Sequence, residues 1–283
     1  MKHTFVLAVT VLALGSLGFA GTPGQTEGDG NQQADNAVQE TIAPATSTSP
    51  DATTTCAHTF TSGNNNTYLS YCVTANGNIP QIQTPFGLLQ LGSDGEGYGL
   101  CQESPAVQYH DYGSSDTGNW KAPTLVSLTT TAVKIARTTS DGHFTLTQTI
   151  TMVPQTSSIT IAMAITNHQA VAKKVYILRY ADSNPNGSAQ QGINATHNGV
   201  YSWLDSRFPS FPPGGLQLQN VGNPPFLYWQ GFARTVDYGP NACDFAANST
   251  IAVIENSGSM TMAYVGTVYA NGTKTVTVTY RGM

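Results

Sequence analysis

The residues best suited to chemistry in this chain form one short run, Asp182-Ser183-Asn184-Pro185-Asn186-Gly187. Oxygen side chains at alternate positions, followed by glycine, match the first half of a calcium loop. Such side chains converge on one hard cation when the backbone curls, and glycine permits the sharp turn. A complete loop of about 12 residues ends on Glu, and Ile193 stands at that place. The ligand set read from the sequence is Asp182, Asn184 and Asn186 through side-chain oxygens, Ser188 through its carbonyl, and Asp205 as a remote carboxylate. With one charge inside the motif, the expectation is weak, structural Ca2+ binding in the millimolar to sub-millimolar range of extracellular modules. The competing reading is a plain turn, because Asp, Asn, Pro and Gly form turns without a metal.

The second set is aromatic. Trp120, Trp203 and Trp229, with Tyr201, lie in loop-like or Gly/Pro-flanked segments. Exposed rings of this kind stack on sugar faces, and the alternative for them is core packing at sheet ends. Acid–base candidates are few. The domain has Glu96, Glu103 and Glu255, and a glycosidase needs two carboxylates facing each other across a cleft; Glu103 with Asp111 or Asp205 are the pairs to consider. His110 adjoins Asp111, but neighbours on a strand point to opposite faces, so the two do not form an acid–base pair. His58, His143, His168 and His197 show no metal-ligand spacing. The chain contains no G-x-S-x-G elbow, no H-E-x-x-H and no phosphate-binding glycine loop.

The elements that must position these residues fall into three zones. Residues 1–20 read as a secretory signal: Lys2 and His3, an apolar run from Phe5 to Leu14, then Gly18-Phe19-Ala20 as a small-x-small cleavage site. The run is too short for a membrane span. Residues 21–55 have no aromatic residue, and their charges are all acidic, so they read as a disordered tether. Residues 56–283 form one domain with ten Lys+Arg against eleven Asp+Glu, which gives no electrostatic case for nucleic acid or an anionic membrane. Its four cysteines and the export signal predict two disulfides. A hairpin centred near Asn64 would bring Cys56 beside Cys72, which leaves Cys101 with Cys243. A metal site is the alternative for these cysteines, but no C-x-x-C spacing supports it.

The domain reads as strands nearly throughout. Phe144–Val153 places Phe144, Leu146, Ile150 and Met152 on one face and Thr on the other; Ser158–Thr166 aligns Ile159, Ile161, Met163 and Ile165. Ala132–Thr139, Lys174–Tyr180, Leu227–Val236 and Thr250–Ile254 continue the pattern. Met260–Tyr269 and Thr273–Tyr280 flank Asn271-Gly272, the strongest hairpin signal in the chain. Residues 205–225 are an irregular, Pro-rich excursion. The expected fold is all-β: one large antiparallel two-sheet β-sandwich, preferred over an up-and-down barrel.

Arg137-Thr138-Thr139-Ser140-Asp141-Gly142, then Leu146-Thr147-Gln148, Asn167 and Arg179-Tyr180-Ala181-Asp182 resemble a group of exported bacterial β-sandwich proteins of unassigned function. The resemblance spans Thr131 to Gly187 and implies a large two-sheet sandwich whose loop is richer in Asp; here Asn184 and Asn186 stand instead. The chain is more loosely similar to the supersandwich of sugar mutarotases and related carbohydrate-active proteins, with no motif that carries their catalytic residues over. Three functions follow as expectations. The first is a secreted or surface-exposed, non-enzymatic module that binds glycan or another surface component. The second is a carbohydrate-active enzyme, which requires carboxylates, or a His and a carboxylate, converging in a pocket. The third is a structural envelope or matrix protein, which requires an apolar patch or a self-pairing edge strand. For the calcium loop, millimolar Ca2+ is expected to raise the melting temperature and Asp182→Ala to abolish the rise; thermal unfolding with and without chelator checks both.

Overall fold

Strict alternation builds the largest layer. In Phe144–Val153 (β8) and Ser158–Asn167 (β9), every second residue is buried and the residues between are half-buried threonines, alanines and the like. Each fully buried Ile or Phe of this kind contributes roughly 1.5–3 kcal/mol. Tight turns at Ser140–His143 and Pro154–Ser157 join Ala132–Thr138 (β7), β8 and β9 as antiparallel neighbours. The computed structural model describes residues 54–185, 191–195, 199–204, 214–221, 228–234, 241–243, 253–255 and 258–283.

The remaining strands are β1 (Cys56–Ser62), β2 (Leu69–Thr74), β3 (Gln81–Gln83), β4 (Leu91–Gln102), β5 (Val107–Asp111) and β6 (Thr124–Leu128) in the first half. The second half supplies β10 (Lys173–Ser183), β11 (Gln191–Ala195), β12 (Gly199–Leu204), β13 (Gly215–Asn220), β14 (Tyr228–Arg234), β15 (Val253–Glu255), β16 (Gly258–Val268) and β17 (Thr273–Gly282). Nine strands form one sheet in the order β15-β11-β12-β13-β17-β9-β8-β7-β6, and five form a second in the order β14-β16-β10-β4-β5. A third, small sheet is β1-β2-β3. All pairings are antiparallel. One core joins the sheets: Ile150, Ile161 and Val278 of the large sheet, Leu100, Ile177 and Met262 of the five-stranded sheet, and Phe60, Tyr71 and Ile82 of the small one belong to a single buried cluster. The protein is therefore the large antiparallel β-sandwich that its periodicity predicts.

Two local expectations need correction. The Lys174–Tyr180 segment extends as β10 to Ser183 and is buried on both faces, not one. Its outer face is covered: Tyr176, Leu178 and Tyr180 pack with Tyr112, Ala263 and Ala242 in a second apolar cluster. A strand covered on both sides reads as a continuous apolar run, which V-Y-I-L is. The Asn271-Gly272 pair does not close a hairpin. Strand β16 lies in the five-stranded sheet and β17 in the nine-stranded one, so the turn is a corner between layers. Only Asn271 adopts positive φ there, at 53°, whereas the favoured two-residue hairpin turn needs both central residues in that region. Both expected disulfides are present, Cys56–Cys72 and Cys101–Cys243, with Cα separations of 5.5 and 5.1 Å. The second ties β4 to the short segment that carries Ala242.

Asn167, at the end of β9, pins the corner. Its side-chain amide donates to the carbonyls of Val268 (3.1 Å), Tyr269 (3.3 Å) and Val171 (2.9 Å), and its backbone N–H donates to Gly272 O (2.9 Å). Asn167→Ala removes the donor and leaves the buried Val268 carbonyl without it. It is expected to lower the unfolding free energy by about 1–3 kcal/mol, read as a shift of the urea midpoint at unchanged slope.

Candidate functional site

Charged side chains enter the core at two places. Glu96 on β4 and Arg179 on β10 are both fully buried. Arg179 Nη2 donates to Glu96 Oε2 (2.7 Å) and its Nε to Oε1, while the Ile79 N–H (2.5 Å) and the Tyr280 hydroxyl (2.9 Å) complete the carboxylate's partners. Burial pushes the Glu96 carboxyl up, and Arg179 and these hydrogen bonds pull it back. The other face of the guanidinium donates to Gln148 Oε1 (2.5 Å) and Gly77 O (3.3 Å).

The second centre is Asp111, Arg137 and Asp116. Arg137 Nη1 donates to Asp111 (2.6 Å) and Asp116 (2.9 Å), and the Asn76 amide donates to Asp111 (2.8 Å). Trp120 lies beside this group, 5.7 Å from its ring centroid to the Arg137 guanidinium. Burial opposes the Arg137 charge, but Tyr98, Asp111 and Asp116 hold it protonated. One guanidinium faces two carboxylates, so burial, with Asp116 adding, pushes Asp111 up to about 7. The two centres are joined, because Asn76 O accepts from Tyr98 (3.0 Å) and Gln148 (3.4 Å), and the Asn78 amide donates to Glu96 O (3.0 Å) and Asp111 O (2.9 Å).

A cleft of about 340 Å³ opens between the small sheet and β4. It owes its shape to an irregularity: Ala181 pairs with Glu96 and Ser183 with Leu91, so Gly92 to Gly95 together face Asp182. Gly95 has φ +95°, and a Cβ there would lie 1.9 Å from Tyr112 O, so only glycine fits. Pro80, Ile82, Leu89 and Leu91 give the cleft apolar walls, and Gln81 and Tyr112 lie among its polar lining.

The outer face of the nine-stranded sheet is the other open surface. Val200 and Ser202 are buried, so Tyr201 and Trp203, both half-buried, point outward from β12. Tyr201 lies opposite Gln217, which is itself buried, Gln217 opposite Arg281, and the half-buried Gln219 opposite Thr279. The face then continues over Thr275 and Thr277 of β17, Ala162 and Ala164 of β9, and Thr147 and Thr149 of β8, all in register. Outward positions of β7, β8, β9, β17 and β13 carry Lys134 and Arg281 as their charged side chains.

The predicted site residues scatter. Asp182 does not begin a loop: it is paired with Ser259 inside β10. Asp182 and Asn184 both lie over Gly92, where a Cβ would meet Asp182 Oδ2 at 2.1 Å and Asn184 Cβ at 2.9 Å. Asn186, Ser188 and Asp205 lie outside the described residues. Among the described residues, no three His, Cys, Asp or Glu side chains are grouped to hold a metal ion. Trp120 is 4% exposed and packs edge-on against Tyr98 and Tyr109, so it belongs to the core and not to a stacking surface. Trp229 is on β14 opposite Tyr264, and its side chain lies outside the described set. His110 and Asp111 do point apart: the His110 ring stacks on Tyr112 at 4.7 Å, while Asp111 is in the core. Glu103 sits at the surface with Lys174 (2.6 Å) and the Tyr176 hydroxyl (2.9 Å), away from Asp111's partners. His143 and Asp141 form a contact of 3.1 Å on the exposed turn after β7. The sequence reading missed Arg137, Gln148 and Arg179 as core residues. Each occupies a position of inward parity, next but one to Ile135, Leu146 or Ile177, and that parity was the available signal.

No protein-family model matches the sequence, and neither does any curated protein. Solved structures do align. A bacterial glucoamylase complexed with acarbose covers 85% of this chain with 35% of its own, at 9% identity and a TM-score of 0.53. A polysaccharide lyase covers 78% with 33% of its own, at 11% identity and 0.48. A candidate aldose 1-epimerase from Escherichia coli K12 covers 80% with 99% of its own, at 11% identity and 0.47. The chain thus spans about a third of the glucoamylase and lyase chains. At such identities the likeness is one of fold.

The Asp111 centre makes a pH prediction. Unfolded, Asp111 ionises near an ordinary aspartate value of about 3.9; folded, it keeps its proton to about 7. A raised carboxyl contributes stability at low pH and loses it as pH rises from about 4 to about 7. Wild type is therefore expected to gain unfolding free energy relative to Asp111→Asn between pH 8 and pH 5. The gain should be on the order of 1–4 kcal/mol, read from urea unfolding of both proteins at both pH values.

Proposed function

We propose that this protein is a secreted carbohydrate-binding module that holds a glycan on the open face of its nine-stranded sheet. The observation that carries this reading is the placement of Tyr201 and Trp203, two residues apart on β12 and facing outward at the end of a face that continues over the half-buried Gln219 and the threonines of β17 and β8. Aromatic rings stack on the apolar faces of sugar rings, while amide and hydroxyl groups exchange hydrogen bonds with sugar hydroxyls. The threonines and alanines beside them are short, so an extended chain lying on this face displaces few mobile side chains. The two disulfides suit an oxidising, extracytoplasmic location. Among the described residues, no helix is long and apolar enough to cross a membrane. The glucoamylase whose fold this chain shares was solved with acarbose, which lends the reading its carbohydrate direction.

An enzymatic alternative needs carboxylates free to exchange protons. Glu96 and Asp111 are engaged by arginines, and Glu103 is paired with Lys174; the binding reading needs none of them. Glycan-array screening of the full exported chain should give saturable binding to a polysaccharide. Trp203→Ala and Tyr201→Ala should each weaken it by about tenfold or more at an unchanged melting temperature. Undiminished binding by a folded Trp203→Ala variant counts against the open face.

A further inference from the structure

At the Trp203 end of the open face, a tight turn presents Phe86, which at 70% is the most exposed large apolar side chain among the described residues. We propose that Phe86, with Tyr68 and the amides of Asn65 and Asn66, forms a second subsite for the same glycan, stacking a sugar ring beyond those held by Tyr201 and Trp203. This inference rests on the open-face reading and adds to it a dependence on chain length.

A lone exposed ring is ordinary on a protein surface; this one is distinguished by how firmly it is held. The Leu88 N–H donates to Pro85 O (3.1 Å) and Gly87 has φ +84°, the geometry of a type II turn with glycine at its third position. The Thr84 N–H donates to Leu88 O (2.9 Å), and the Phe86 N–H donates to Asn65 O (3.3 Å), which ties the turn to the loop before β2. Tyr68 meets the Phe86 ring edge to face, with centroids 5.0 Å apart and planes at 82°. Turn geometry accounts for Gly87 but asks for no aromatic residue at 86. A ring ordered before binding loses little freedom when a ligand stacks on it.

The turn also borders the open face. Trp203 lies opposite Gly215. A Cβ at Gly215 would lie 2.9 Å from Trp203 Cα and 2.9 Å from Met283 Cε, and one at Gly214 would lie 2.3 Å from Leu88 Cδ2 and 3.6 Å from Pro85 Cδ. Two consecutive glycines therefore let the turn seat against the start of β13, where Trp203 ends the aromatic row. The chemistry of the turn matches that of the row. Residues 62–68 and 84–89, and the 154–157 turn that holds them, contain no charged residue. The Ser157 hydroxyl donates to Asn66 O (3.2 Å) and the Gln155 N–H to Ser62 Oγ (3.1 Å), so the loop that carries Asn65 and Asn66 is fixed while both residues stay exposed. A side-chain amide offers sugar hydroxyls a donor and an acceptor together, and the ring takes the apolar face of the sugar.

The test titrates the full exported chain calorimetrically with malto-, cello- and xylo-oligosaccharides, each from disaccharide to octasaccharide. In at least one series, affinity should rise with chain length. Phe86→Ala should remove that rise, lowering affinity for the octasaccharide by about tenfold and leaving the shortest bound oligosaccharide and the melting temperature unchanged. Trp203→Ala should weaken short and long chains alike. Phe86→Trp, which keeps a ring, should retain the length dependence, and Phe86→Leu, which keeps apolar bulk without a ring face, should lose it. The subsite is overturned by a folded Phe86→Ala or Phe86→Leu variant with the length profile of wild type, or by the absence of a rise in every series. It is equally overturned if Phe86→Ala alters only sedimentation equilibrium, which would make the ring a contact between copies of the chain. The two readings fail separately. A loss confined to Trp203→Ala removes the subsite and keeps the open face, whereas a loss confined to Phe86→Ala keeps the ring as a glycan contact and overturns the open face.

Discussion

The interaction on which the rest of this structure depends is the buried polar network centred on Glu96–Arg179 and Arg137 with its two aspartates. Taking each such ion out of water costs several kcal/mol even after relaxation, and the core offsets this only by complete pairing. Glu96 accepts from three residues, Arg179 reaches Gln148 and Gly77, and Asp111 accepts from Arg137, Asn76 and the Gly113 N–H. Partners come from both large sheets and from the Asn76–Ile79 segment between β2 and β3. Removing one partner of such a pair strands the other at about 3–5 kcal/mol, so every sheet must sit in the register that completes the network. Apolar packing alone tolerates small shifts; a guanidinium held by fixed carboxylates does not.

That constraint also decides what chemistry remains. Half-way along the interior the arginines engage the carboxylates that a hydrolase would want free. The nine-stranded face is sparsely charged: threonine, alanine and aromatic groups, with Lys134 and Arg281 as the charged side chains of its described strands β7, β8, β9, β17 and β13. This agrees with a domain that is nearly balanced in charge. Sparsely charged surfaces of this kind offer ring stacking and hydrogen bonding, with little long-range steering.

Much of the fold was legible because the large sheet's strands alternate strictly. In β8 and β9, the side-chain period leaves one arrangement of faces, and the structure has it. Legibility failed where a tertiary layer changes the meaning of a local pattern. The apolar run before Asp182 reads as a strand that ends at a loop, but a cover over its outer face carries it on to Ser183. Asn271-Gly272 reads as a hairpin, but the strands it joins belong to different sheets. Trp120 reads as a ring in a loop, but the Arg137 centre draws it inward. The network itself was partly visible: Arg137, Gln148, Asn167 and Arg179 are among the residues that carry the resemblance to exported β-sandwich proteins, and all four are buried. What the sequence could not supply was their partners: Glu96 lies far from Arg179 in the chain and reaches it from the neighbouring strand β4, and Asp111 meets Arg137 only across the two sheets.

The large sheet ends at β6, and this edge bears on whether the protein assembles through its strands. All five β6 residues are exposed, and Leu125 and Leu128 are each about half accessible, at 52% and 51%. An uncharged edge of this composition would template another strand if it were flat. It is not flat. The register with β7 shifts between Leu125 and Ser127, so Val126 is an extra residue that kinks the strand and turns part of its edge away. Pro123 stands immediately before the strand and cannot donate to a ladder. The edge is short, bulged and capped, which are the devices by which sheets avoid open-ended pairing, and a matrix built by strand addition would need the opposite. The open face beside it, with its in-register threonines and its aromatic end, is the surface the architecture leaves regular.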